Sequence, residues 1–305
     1  MENKNTIGHV AAAVTILIWG TTFISTKILL IDFKPVEILF YRFVMGLIAL
    51  FIVCPKRLVV ADKKREVMFA LAGLCGVSLY YLLENIALTY TLATNVGVII
   101  SVAPFFTAVI TRIVYRDSEK LRVNFFVGFL SAMAGICLIS FGGSGMTINP
   151  VGDLLSVFAA FIWACYSVIT RKISSYGYST VQSTRRIFIY GIIFMIPALF
   201  VSGFELGLGR FVNPVYTFNI IFLGLGASAM CFVTWNFALK VLGAVKTSVY
   251  IYMVPVITVG ASMLVLGERV SVYGGIGILL TVAGLLISEM KFSFKKEEKS
   301  CGAAE

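Results

Sequence analysis

Ten apolar stretches of about 20 residues follow one another along this chain, at about 9–30, 36–54, 66–88, 93–114, 123–141, 151–170, 181–202, 217–239, 246–266 and 271–290. A helix of about 20 apolar residues crosses the hydrocarbon layer of a bilayer. The stretches are far longer than the alternating strands of a membrane barrel, and a helix satisfies its own backbone donors where no water can. Polar punctuation separates them at Pro35, Pro55-Lys56-Arg57, Asp117-Ser118-Glu119, Gly142-Gly143-Ser144-Gly145, Gly177 and Asn213-Pro214. Composition excludes a soluble core. Of 305 residues, 59% are hydrophobic and 13% charged, where a soluble domain carries about 25% charged residues, and the mean hydropathy is +0.95. The first stretch follows Lys4, is too long for a signal-peptide core and lacks a clear small-x-small exit, so it reads as a membrane helix. The expected fold is an all-α polytopic membrane protein with ten transmembrane helices.

Charge placement sets the expected orientation. With the N-terminus in the cytoplasm, 18 of the 25 Lys and Arg residues fall in cytoplasmic segments, and only Lys34, Arg210 and Arg269 fall on the opposite side. Lys27, Arg42, Arg185 and Arg186 lie inside apolar stretches. This bias follows the positive-inside rule and predicts both termini in the cytoplasm, with residues 291–305 as a cytoplasmic basic tail. The net charge of +10 is divided among short loops, so it predicts attraction to anionic lipid and no nucleic-acid partner.

The chain repeats itself. NIALTYTLATNVGVIISVAP (85–104) and NFALKVLGAVKTSVYIYMVP (236–255) share seven identical positions at an offset of 151. Trp19 and Arg42 match Trp163 and Arg186 at an offset of 144, and Asp117 matches Glu268 at 151. Gly128 and Gly135 match Gly277 and Gly284 at 149. Each half therefore holds five helices. Because five is odd, the second half enters the membrane from the opposite side, and the expected layout is two inverted five-helix repeats, 8–142 and 150–290. Inverted repeats are the architecture of many secondary transporters, with the substrate site near the repeat interface.

The second half resembles the EamA-type domain of the drug/metabolite transporter superfamily through GDLLSVFAAFIWACYSVITRK (152–172), NFALKVLGA (236–244), VP (254–255) and LGE (266–268) before a glycine-rich last helix. The first half carries the pattern more loosely, as IWGTTF (18–23), ENIALTYTLAT (84–94) and AP (103–104), with YRD (115–117) where LGE is usual. The resemblance covers about 280 residues. It implies two EamA domains, ten helices, cytoplasmic termini and a central cavity lined mainly by helices 1, 3, 4, 6, 8 and 9.

Enzyme chemistry lacks its parts. His9 is the one histidine, no CxxC occurs, and no GxxxxGK[ST] loop is present, so neither a triad, a zinc site of the usual kind nor ATP-driven transport is expected. No cofactor or metal is expected. Cys54, Cys75, Cys137, Cys165 and Cys231 sit in or at the ends of apolar stretches, where cysteine acts as a small hydrophobe.

Glu84 is the most informative residue. A carboxylate within a membrane helix is costly, so it faces a cavity or a partner. It either meets a substrate ammonium or a coupling proton, or pairs with Lys27 or Arg42, or reaches for the lipid edge. Its counterpart in the second half is Trp235, so the site is not symmetric. Asn85 and Asn236 either border the cavity or bridge helices by hydrogen bonds. Trp19 and Trp163, halfway along helices 1 and 6, either wall a pocket with Tyr80, Tyr166, Trp235 and Tyr250, or face lipid or pack in the core. Arg42 and Arg186 are expected as charge anchors with Lys27, or as attractors of an anionic group. Pro104 and Pro255 sit mid-helix and are expected to be paired gating bends or fixed kinks. The combined expectation is a secondary transporter in a bacterial plasma membrane, a monomer or weak homodimer. It moves small metabolites outward by alternating access, with amino acids or related zwitterions first, organic cations or drugs second, and a non-transporting scaffold or sensor as the rival class.

Overall fold

The computed structural model describes residues 2–60, 62–91, 93–115, 123–142, 149–266 and 272–289, and every regular element within them is helical. Asp117, Glu268, Gly143–Gly145 and the tail 291–305 lie outside the described residues. Helical stretches cover all ten apolar runs: α1 (Glu2–Leu29), α2 (Pro35–Val53), α3 (Lys63–Tyr90), α4 (Ala93–Ile100 and Ala103–Val114), α5 (Val123–Gly142), α6 (Pro150–Ser174), α7 (Thr180–Val201), α8 (Pro214–Leu242), α9 (Ala244–Val249, Tyr250–Tyr252 and Met253–Leu266) and α10 (Val272–Glu289). Eight are long and apolar enough to cross a membrane; the apolar parts of α5 and α10 are the shorter Val123–Leu138 and Val272–Ser288. α1 starts several residues before its apolar run.

Local chemistry starts and stops these helices. Pro35, Pro150 and Pro214 occupy the first helical position, where a missing N–H costs nothing. The Asn149 side chain accepts from Val151 N and Gly152 N, Asn213 from Val215 N, and Asp62 from Lys64 N, satisfying donors that a helix start leaves open. Gly243 turns the chain between α8 and α9 with φ +89°, a conformation that a side chain disfavours.

The repeated sequence has repeated irregularities. α3 holds a wide π-helical segment at Leu74–Leu79, and α8 one at Phe222–Met230, so both end at positions matched by the 151 offset. α4 breaks at Ser101–Val102 and α9 tightens at Tyr250–Tyr252. These breaks alter the expected place of the prolines. Pro104 and Pro255 stand in the first turn of the second helical pieces, Ala103–Val114 and Met253–Leu266, not inside a continuous helix. A proline tolerated there marks where the backbone ladder is already interrupted.

Packing pairs up in the same way. α1 packs on α8 and α9 as α6 packs on α3 and α4, and α2 packs on α8 as α7 packs on α3. α5 and α10 form a seam in which a Cβ on Gly128 would strike the Gly284 backbone and one on Gly135 would strike Gly277. That pairing makes the two helices antiparallel and brings their backbones as close as small residues allow. Ile7, Val10, Val14 and Leu17 form an exposed apolar stripe along α1, the surface a helix turns to lipid.

Two further matched contacts close helix ends. Lys27 Nζ donates to Leu88 O at 2.6 Å and Thr91 O at 3.2 Å. Arg171, its counterpart at offset 144, donates through Nη1 to Leu239 O at 3.2 Å and Lys240 O at 2.8 Å. Leu88 and Leu239 are themselves matched at 151. Each cation therefore caps the negative C-terminal end of α3 or α8.

Charged straps tie both ends of the bundle. At one, Arg210 Nη1 bonds Glu37 Oε2 at 2.7 Å and Asp32 O at 2.7 Å, and Glu37 also accepts from the backbone of Lys34 and Glu205. At the other, Arg186 pairs with Glu66 at 2.5 Å, and Arg185 donates to the carbonyls of Cys54 and Lys56.

Candidate functional site

An aromatic box occupies the middle of the bundle. Trp19 and Trp163 meet edge to face with ring centroids 5.1 Å apart. Tyr80 lies 4.7 Å from Trp163 and 4.7 Å from Tyr81, and Trp235 lies 5.1 Å from Trp19. Tyr166 packs on Trp163 at 4.9 Å. The Trp19 indole donates to Ala227 O at 2.9 Å, a carbonyl in the π segment of α8, so the helix irregularity supplies an acceptor for the box.

Inside the box is a small cavity. Ile16, Trp19, Thr22 and Phe23 of α1, Tyr80, Tyr81 and Glu84 of α3, Ile100 of α4, Trp163 of α6, and Ile251 and Val254 of α9 line it. Measured for the centre of a water molecule it holds about 30 Å³, room for about two waters. The walls are apolar and aromatic, with Glu84 as the one charged group among the lining residues.

Glu84 is 2% exposed. Its carboxyl lies beside the Tyr80 side chain and within electrostatic range of Arg42. Ion pairs among the described residues join Lys34–Glu205, Arg186–Glu66 and Arg210–Glu37; Glu84 is in none of them. The expected alternative of a pair with Lys27 or Arg42 is therefore not formed. Lys27 is committed to the end of α3, and Arg42 donates through Nε to Ser228 Oγ at 2.9 Å.

The other expected residues divide. Trp19, Tyr80, Glu84 and Trp163 reach the cavity, while Tyr166 and Trp235 stand behind its walls. The Asn236 side chain accepts from Tyr166 OH at 2.7 Å and donates to Thr184 at 2.9 Å, bridging three helices. Asn85 donates to Pro35 O at 3.1 Å and ties α3 to the start of α2. Tyr250 points away, its hydroxyl 2.7 Å from His9 Nδ1. Tyr81 and Thr22 line the cavity without having been singled out as site residues. Their spacing was a usable signal, because Tyr81 stands three before Glu84 and Thr22 three after Trp19, and residues three apart share a helix face.

The description of the EamA-like transporter family matches residues 6–141 and again 150–290. The chain belongs to the EamA-like transporter family. An uncharacterized transporter of Archaeoglobus fulgidus is 30% identical over 94% of this chain and 99% of its own length. A probable terminal-alkyne amino-acid exporter of Streptantibioticus cattleyicolor is 24% identical over 95% of this chain and 96% of its own. A crystal structure 20% identical aligns with a TM-score of 0.71 over 95% of this chain and 97% of that one, a likeness of fold. In this EamA-like transporter, a multi-pass membrane protein, the cavity lies between the two matched stretches. Trp19, Tyr80, Tyr81 and Glu84 come from the first, and Trp163, Ile251 and Val254 from the second.

Proposed function

We propose that this protein exports amino acids or related zwitterions across the bacterial plasma membrane by alternating access of two inverted five-helix repeats, 8–142 and 150–290, with both termini in the cytoplasm. The observation that carries the reading is Glu84, a buried carboxyl with no ion partner, in an aromatic cavity between the two halves. A carboxylate there recognises an ammonium group, and the aromatic walls accept an apolar side chain. Trp19, Tyr80 and Trp163 form the wall, and Tyr166, Trp235, Asn85 and Asn236 hold it in place.

The cavity is too small for an amino acid as it stands, so binding requires the halves to part. The interruptions before Pro104 and Pro255 give α4 and α9 places to bend, and the straps of Glu37–Arg210 and Arg186–Glu66 close the outer and cytoplasmic ends in turn. A proton that occupies Glu84 when the solute leaves gives a simple route to coupling. The likeness to the probable terminal-alkyne amino-acid exporter of Streptantibioticus cattleyicolor adds support for this substrate class.

An organic cation is the second reading, favoured by Glu84 and its aromatic surroundings. Purified protein in liposomes, loaded with a labelled mixture of the twenty L-amino acids, tests the choice. Efflux of the mixture above empty liposomes supports the proposal. Efflux of labelled primary amines with none of amino acids moves the function to organic cations, and no efflux of either removes the transport reading of this site.

A further inference from the structure

Arg42 carries an unfilled valence. It is fully buried, and its Nε is committed to Ser228. Its other two nitrogens, Nη1 and Nη2, have no hydrogen-bond partner in the structure. The guanidinium carbon lies over the Tyr81 ring, 4.3 Å from its centroid, and 5.4 Å from that of Phe43. Tyr81 in turn lines the cavity beside Glu84. One ring therefore separates a charged, incompletely bonded fork from the space that holds the carboxyl.

Among the described residues, the other buried cation on a membrane helix behaves differently. Arg185 spends its donors on the carbonyls of Cys54 and Lys56. Arg42 is held in position by one bond at Nε, and the end that grips a carboxylate with two parallel bonds is left free. Burying a charged donor without a partner is costly, and a chain that keeps one gains only if something completes it.

We propose that Arg42 is the carboxylate receptor of the site and Tyr81 its movable cover. This rests on the zwitterion reading given above and sharpens it. When the halves part and the Tyr81 ring turns aside, Nη1 and Nη2 take the solute carboxylate while Glu84 takes the ammonium. The filled site is then neutral, with each buried charge paired. A solute bearing only an ammonium satisfies Glu84 but meets the positive field of Arg42, so the same residue that binds amino acids rejects simple amines. Arg42 thus sets specificity in addition to anchoring α2. Its sequence counterpart Arg186 is consumed by Glu66, so the receptor exists in one half alone.

The experiment compares wild type, Arg42→Gln, Arg42→Lys and Tyr81→Leu in liposomes, with labelled efflux of two mixtures: the twenty L-amino acids, and the primary amines left by their decarboxylation. Arg42→Gln is expected to lower amino-acid efflux at least tenfold while amine efflux is kept or raised. Arg42→Lys, which keeps charge but not the fork, is expected to fall between. A role confined to structure would lower both mixtures together, and that equal loss overturns the proposal, as does wild-type amino-acid efflux in Arg42→Gln. Should Arg42→Gln fail to fold, Arg42→Lys decides: loss of the fork must raise the KM for amino acids more than that for amines, and equal shifts overturn the assignment. Wild type that carries amines and no amino acids overturns the receptor and the zwitterion reading together. Wild-type amino-acid efflux with no change of selectivity in any variant overturns the receptor alone.

Discussion

Trp19 and Trp163 stand at the same place in the two sequence repeats and touch each other, edge to face, with centroids 5.1 Å apart. Residues that meet their own sequence counterparts lie on the boundary between the two repeats. Tyr81 and Phe232, matched at offset 151, do the same at 6.0 Å, and Ser131 donates to Leu280 O at 3.2 Å, a pair matched at 149. The aromatic box therefore sits where the two matched stretches meet. Truncating either tryptophan to alanine is expected to cost about 3–5 kcal/mol. A double-mutant cycle read by thermal unfolding in detergent should give a coupling of about 0.5–1.5 kcal/mol between them. Strict additivity would mean the rings do not interact.

Glu84→Gln preserves shape and removes charge. A charge-assisted bond to an ammonium contributes about 1.5–3 kcal/mol, so amino-acid efflux should fall about 10- to 100-fold with the unfolding temperature kept. The variant's efflux should also lose its dependence on pH. Wild-type flux and pH response together would free this carboxyl from both roles.

Lys27 and Arg171 cap matched helix ends, so they should respond alike. Replacing either with methionine keeps the apolar stem and removes the charge. Each change is expected to lower stability by about 0.3–2 kcal/mol, seen as a reduced melting temperature. A neutral result for both would show that the terminal carbonyls of α3 and α8 find water as readily.

The strap at one end of the bundle offers a contrast within a few residues. Glu37 is fully buried and held by Arg210, so Arg210→Ala strands a charge and is expected to cost about 3–5 kcal/mol. Lys34–Glu205 is an exposed pair, with side chains 45% and 76% accessible, so Glu205→Ala should cost less than about 1 kcal/mol. Chemical denaturation of the two variants ranks them; equal effects would mean that Glu37 is rehydrated when its partner leaves.

The inverted layout has a direct chemical test. Single cysteines at Lys56, in the α2–α3 loop, and at Glu205, in the α7–α8 loop, placed in a cysteine-free background, should react with a membrane-impermeant maleimide from opposite faces. Labelling of Glu205→Cys in intact cells and of Lys56→Cys only after lysis is the expected pattern. Both reacting from one face would remove the arrangement.

The helices and the family were legible in the sequence because each is a property of the chain read in order. Apolar length dictates what crosses lipid, and spacing reveals the duplication, so Trp19, Trp163, Glu84 and the paired prolines were visible before any fold was known. What the charges do was decided by tertiary structure. Lys27 and Arg42 were both within plausible reach of Glu84 along the chain, yet one caps Leu88 O and the other stacks on Tyr81. Glu37 finds Arg210 across 173 positions, a pairing that no local pattern announces. Hydrophobic burial is nearly indifferent to direction, so a linear pattern suffices to predict it. A hydrogen bond or ion pair works only over a few ångströms and a narrow range of angles, so its partner is fixed by how distant helices come together.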